Sequence, residues 1–182
     1  MTPPKEHRTA RGRRPIVALI AGILAAATLA GCDGDGDPLA ERQTEVAERQ
    51  AEVAARGAEV MPFDLDATTH RFERTETGLV QTVTADDPDD GEQIALIREH
   101  LEDEASRFAA GDFDDPAAIH GEDMPGLTTL RDGAAEIDIQ LEQLADGARL
   151  VYTTEDPGLI EALHQWAEAQ VSDHGDHAEH GG

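Results

Sequence analysis

The chain has 182 residues, a single cysteine, 14 Lys+Arg against 39 Asp+Glu, and a formal net charge of −25. That length holds one domain of ordinary size, and so negative a surface repels phosphate backbones, which excludes nucleic acid as a partner. Lys5, the only lysine, and Arg8, Arg11, Arg13 and Arg14 all precede Cys32; from Cys32 onward nine basic side chains face 38 acidic ones, a balance that favours cationic ligands but identifies none.

The first element is a targeting segment. Residues 8–14 are basic, residues 16–30 are apolar or small apart from Thr28, and the run ends in Leu29-Ala30-Gly31-Cys32. A charged start, a short apolar stretch and small residues at the cut are what a secretory signal requires, and about 15 residues are too few to span a bilayer as a helix, which needs roughly 20. Leu-Ala-Gly-Cys resembles the lipobox of bacterial lipoproteins, in which the cysteine is acylated and becomes the new N-terminus. Cys32 is therefore the expected lipidation site, residues 1–31 the cleaved signal peptide, and the exported chain is expected to be lipid-anchored to a membrane on its extracytoplasmic side. With no second cysteine, no disulfide can form.

Residues 32–38 form an Asp/Gly linker; read as a calcium loop from Asp33, it would put Pro38 at the glycine position and Thr44 at the glutamate position, so that reading fails. Three heptads follow, closing on Val46, Val53 and Val60, rich in the helix formers Ala, Glu, Arg and Gln, with Glu45–Arg49 and Glu52–Arg56 ordered as favourable i,i+4 pairs. The apolar stripe is one residue wide, whereas a coiled coil needs two core positions per heptad. Residues 39–61 are expected to form a solvated helical stalk that Pro62 closes.

Residues 62–172 are expected to form an α+β domain built on an internal repeat. Gly78 to Pro88 matches Gly147 to Pro157 with equal spacing, each copy reading as a strand followed by Asp-Pro at a helix start. A preceding strand is expected at residues 70–76 and 136–141, the latter alternating Ile137, Ile139 and Leu141. The apolar faces Ile94, Ile97, Leu101, Ala105, Phe108 and Leu159, Ile160, Leu163, Trp166, Ala167 supply one helix each. Two ββα units joined by residues 111–133 predict a four-stranded antiparallel sheet with both helices on one face. Residues 173–182 complete the chain as a flexible tail rich in His and acid.

Histidine is the best lead to chemistry. Seven of the eight follow Cys32: His70, His100, His120, His164, His174, His177 and His180. Matching Leu96 with Ile160 aligns His100 with His164, so the repeat could bring both to a common site; the bland alternative is two partly buried helix residues. His120 and Met124 lie in a Gly/Pro-rich loop, where imidazole suits Cu, Zn, Fe and Ni and a thioether shifts preference toward Cu(I); a plain turn reads equally well there. His174, His177 and His180 recur every third residue among acids, as in His-rich tracts that bind metals. No phosphate loop, Gly-x-Ser-x-Gly, His-Glu-x-x-His or reactive cysteine is present.

The segments Met61-Pro-Phe-Asp-Leu-Asp, Thr68-Thr-His-Arg-Phe72, Ile94-Ala-Leu-Ile-Arg-Glu-His100-Leu, Gly111-Asp-Phe-Asp-Asp-Pro116, His120-Gly-Glu-Asp-Met-Pro-Gly126 and Thr154-Glu-Asp-Pro157 resemble a family of small exported bacterial proteins that commonly carry the name aspartate carbamoyltransferase. The resemblance covers roughly residues 61 to 177 and places His70, His100, His120, Met124, His164 and His174 inside its motifs. The activity in that name does not fit: genuine aspartate carbamoyltransferases look like two doubly wound α/β domains with a Ser-Thr-Arg-Thr phosphate site and further cations, and this chain has neither that motif nor a lysine in its domain. The expected function is non-enzymatic binding or handling of a Cu- or Zn-class ion at a membrane-tethered domain. The alternative is a cell-envelope module that docks another exported protein, marked by exposed apolar side chains on the open sheet face; a third, a small hydrolase, requires a cleft with perturbed titratable groups.

Overall fold

The computed structural model describes residues 37–175 and 178–181; Cys32 and the signal segment, and His177, lie outside the described residues. Helix α1, Pro38–Val60, starts where Asp37 accepts a hydrogen bond from the Leu39 N–H with Pro38 in its first turn, the arrangement that satisfies free N–H groups at a helix start. It ends at Met61, which is extended because the residue before a proline is pushed out of the helical region.

Two hairpins and two long helices follow in the expected order. Strands β1 (Thr68–Thr75) and β2 (Gly78–Ala85) precede helix α2 (Gly91–Ala109); strands β3 (Asp138–Gln143) and β4 (Gly147–Thr153) precede helix α5 (Pro157–His174). Asp90 and Asp156 each accept from two backbone N–H groups at the starts of α2 and α5. Two short helices, α3 (Asp114–His120) and α4 (Leu127–Gly133), occupy the connection between the halves. The loop between them packs tightly on α5: Gly126 has φ +81°, and a Cβ there would stand 2.2 Å from the Ala162 carbonyl oxygen, so only glycine fits.

The architecture is α+β, but the sheet corrects the four-stranded expectation. It has five strands in the order β3-β4-β2-β1-β5, where β5 (Ala178–His180) comes from the segment read as a free tail and runs parallel to β1. The physical reason is the open edge of β1, whose unpaired backbone groups are a template for another strand; Gly175, at φ +56°, ends α5, and the Gly181 N–H donates to the Phe72 carbonyl at 2.8 Å. The central pair β2–β4 is antiparallel, with Gly78 opposite Thr153, Gln81 opposite Leu150 and Thr84 opposite Gly147. Matching Gly78 to Gly147 and Thr84 to Thr153 gives a local two-fold relation passing between Gln81 and Leu150.

Alternation along the strands puts Phe72, Leu79, Val83, Ala148, Leu150 and Tyr152 on the buried face. Ile94, Ile97, Leu101 and Phe108 of α2 and Leu159, Leu163, Trp166 and Ala167 of α5 fill the space against them. Trp166 is the hub, edge-on to Phe72, Phe108 and Tyr152 at centroid distances of 5.9, 6.1 and 6.2 Å, a favoured aromatic geometry.

Helix α1 differs from the solvated stalk. Leu39 and Val46 are 64% and 51% exposed, but Val53 is 0% exposed and Gly57 is buried. The one-residue stripe that cannot sustain a coiled coil is wide enough to seat the second half of the helix on the domain, against α3 and α5. A Cβ at Gly57 would meet Leu65 at 2.8 Å, so the glycine lets the chain after α1 fold back closely.

A candidate ion chamber lined by histidines

Four imidazoles distant in sequence surround one enclosed chamber of about 30 Å³, room for a water-sized body. His70 comes from β1, His100 from α2, His120 from the last residue of α3 and His174 from the last of α5; Gln81, Glu104, Asp115 and Gln170 make up the rest of the polar wall, Gln170 Oε1 lying 3.2 Å from His174 Nε2. His120 and His174 have ring centroids 5.0 Å apart, and His70 and His174 5.7 Å. Phe63 sits 5.9 Å from His70 and 5.5 Å from His100, an apolar wedge between the two rings. Two imidazoles sharing a tetrahedral ion at roughly 2.0–2.1 Å per nitrogen have centroids roughly 5 Å apart, a spacing His120 and His174 match with their rings at 79°, whereas His70 and His174 stack at 4° and do not aim at one point as they stand. Among the described residues no three His, Cys, Asp or Glu side chains form a ready ligand set; loading an ion requires the rings to rotate.

The electrostatics of the chamber follow from its burial. His120 is 1% exposed, and desolvation lowers the pKa of both His100 and His120 below the usual imidazole value, in His120 against the opposing pull of Asp173. Both are held neutral, the form that ligates metals. Glu104 is pushed up to about 7, chiefly by burial, with the hydrogen bond from Gln81 opposing. Its Oε2 is 3.3 Å from Gln81 Nε2 and 3.9 Å from His100 Nε2. Tyr152 donates to Gln81 Oε1 at 2.7 Å, so the polar groups beside the aromatic core form one chain from Tyr152 through Gln81 to Glu104.

His120 is oriented from outside the chamber. Its Nδ1 donates to Asp173 Oδ2 at 2.8 Å, which fixes the tautomer and leaves Nε2 as the available lone pair; a carboxylate behind an imidazole is the usual outer partner of a metal-binding histidine. Asp173 is held below the usual carboxylate range: its partial burial acts upward, and hydrogen bonds from Arg49 and His120 outweigh it. The chamber wall at His100 and Asp115 is shared with an open depression that also carries Glu99, Glu102 and Asp103. Asp115 is ion-paired with Arg107.

The remaining expected residues lie elsewhere. Sequence alignment of the two halves suggested that His100 and His164 meet; instead His164 Nε2 donates to the carbonyls of Thr75 and Gly78 at 3.1 and 2.9 Å, closing the β1–β2 turn, and does not line the chamber. The counterpart of His164 in the other half is Arg98, which binds the carbonyls of Leu144 and Gly147 as His164 binds those of Thr75 and Gly78, so aligning His100 with His164 is two residues out of register. Met124, 4% exposed, packs in the apolar core, and the thioether in the chamber wall is that of Met61. His180 lies on β5, half-exposed and 3.9 Å from Glu168. Residues not anticipated are Met61, Gln81, Glu104, Asp173 and Arg49. Glu104 had a signal, four residues after His100 on one helix face; Arg49 had none, being one of three heptad arginines.

The open face of the sheet carries Arg71, Thr82, Thr84 and Arg149, with the pairs Arg149–Glu142 at 2.6 Å and Arg71–Glu179 at 2.9 Å. Among the described residues the exposed large apolar side chains are Leu39 and Val46, both on α1. No family model, curated protein or solved structure matches this chain, so the case for function rests on its own residues.

Proposed function

We propose that this protein binds a Cu- or Zn-class ion in the chamber of His70, His100, His120 and His174, and does so outside the cytoplasm, tethered by lipid on Cys32. The observation that carries the reading is the convergence of four imidazoles from four separate elements on one enclosed polar space. His70 and His120 are buried and His100 and His174 partly so, and neutral nitrogen donors select transition ions over Mg²⁺ or Ca²⁺. Met61, a thioether residue, lines the same wall. The chamber itself, about 30 Å³, suits an ion and not an organic ligand, which takes roughly 300–1,000 Å³; the adjoining open depression of about 680 Å³ carries Glu99, Glu102, Asp103 and Asp115 with His100.

Calorimetric titration of the purified protein with Zn(II) and with copper tests the reading. About one ion per chain is expected, with His120→Asn and His174→Asn weakening binding at least tenfold, the scale of a lost ligand or its support. His164→Gln and His180→Gln should bind as the parent does. Absence of binding at micromolar ion, or equal loss in all four variants, would sink the proposal.

A further inference from the structure

The second half of α1 grips the chamber from outside. Arg49 Nε donates to Asp173 Oδ1 at 3.0 Å and Nη2 donates to Asp173 Oδ2 at 2.7 Å, a two-pronged pairing, and Nη2 also reaches the His120 carbonyl at 2.7 Å. The Oδ2 that accepts from Arg49 is the one that accepts from His120 Nδ1. One guanidinium thus holds the carboxylate that orients a chamber imidazole and also the backbone carbonyl of the same histidine, and it comes from a helix, not from the domain's own sheet-and-helix frame. Gln50 adds a contact to the Ser172 carbonyl at 3.0 Å, and Val53 anchors the same face.

We infer that Arg49 is a positioning residue for the chamber, acting through Asp173 on His120, so that docking of α1 and occupation of the chamber by a metal ion are coupled. The inference rests on the metal reading above. A guanidinium fork fixes a carboxylate in one plane, which a lysine cannot do. Fixing Asp173 fixes the direction of the His120 lone pair, and outer partners of this kind alter metal affinity about 10- to 100-fold when lost. Linkage is reciprocal: if a docked α1 tightens ion binding, a bound ion tightens docking by the same factor. The Arg49 side chain is 42% exposed and that of Asp173 11%, and a two-pronged pair of this kind also contributes to stability, so the effect on binding is read as ion affinity of the folded protein, apart from its Tm. Because α1 follows the linker from the proposed lipid anchor, ion loading would be felt in the segment that joins the domain to the membrane.

The test combines Zn(II) titration with hydrogen exchange of α1 amides in residues 46–57, on the full chain. Zn(II) is expected to slow exchange in the parent protein. Arg49→Gln should bind about 10- to 100-fold more weakly and lose that protection, Arg49→Lys should fall between the two, and Gln43→Ala, exposed on the first half of α1, should bind as the parent does. Should Arg49→Gln fail to fold, the isosteric Asp173→Asn gives the same readout. Zn(II) binding with unchanged α1 exchange, or parental affinity in Arg49→Gln, overturns the coupling and leaves the chamber as a metal site; no binding by the parent removes both.

Discussion

Glu104 keeps a proton at pH values where an exposed glutamate has lost it. Its carboxyl titrates at about 7 in place of 4.5, because burial penalises the anion more than the Gln81 hydrogen bond relieves it. Below pH 4.5 both folded and unfolded states hold the proton, and the group costs nothing. Between 4.5 and 7 the unfolded chain releases a proton that the folded chain retains, so stability falls as pH rises; above 7 the cost is constant at about 3 kcal/mol. His100 and His120 act in the opposite sense. Their folded values lie below the ordinary 6.5, so their contribution is present above pH 6.5 and lost as pH falls through the lowered values. Glu104→Gln keeps the shape and removes the titration. It is expected to match the parent near pH 4.5 and to exceed it by up to about 3 kcal/mol at pH 8, read from urea midpoints at both pH values. At this scale the histidines themselves were legible in the sequence, since His70, His100, His120 and His174 were all named. Their grouping was not: helical alignment pairs His100 with His164, whereas in the fold Arg98 takes the place of His164, each binding the carbonyl of the matched glycine, Gly147 or Gly78.

The elements divide by what their patterns could show. Strand alternation and the Asp-initiated helices are local signals, and β2, β4 and α5 lie where they were expected; β1 begins two residues earlier and β3 two later than read, and α2 is capped by Asp90, past the Asp87-Pro88 expected to start it. Helix α1 and strand β5 were misplaced in role because each is stabilised by a distant surface, not by its own sequence. For α1 the deciding contact is Val53. Val53→Ala is expected to cost about 2 kcal/mol, from two lost methyl groups and the space they leave, while Val46→Ala, on the 51% exposed position, should stay within about 0.5 kcal/mol; thermal melts of the two variants check the contrast. His164 acts on an element too. Removing the one N–H that closes two carbonyls of the β1–β2 turn should cost about 1–2 kcal/mol and speed amide exchange in that hairpin without altering ion binding.

The whole molecule is dominated by charge of one sign. A net charge of −25 on 182 residues repels itself when compact, so salt that screens it should stabilise the fold: raising NaCl from 0.02 to 1 M, where the screening length drops from tens of ångströms to about 3 Å, is expected to raise Tm, and a flat or falling Tm would contradict this account. Under the proposed anchoring, Cys32→Ser should move the protein from the membrane fraction to the soluble one, as immunoblots of the two fractions would register. The aromatic hub has a further use. Trp166 is the single tryptophan, and Phe72, which it touches edge-on at 5.9 Å, is itself part of the chamber wall. The only indole fluorophore therefore sits one ring away from the four imidazoles. Under the proposed metal binding, Cu(II), which drains excited states at short range, should darken its emission in step with loading while Zn(II) leaves it bright, an internal optical gauge that would tell one ion from the other.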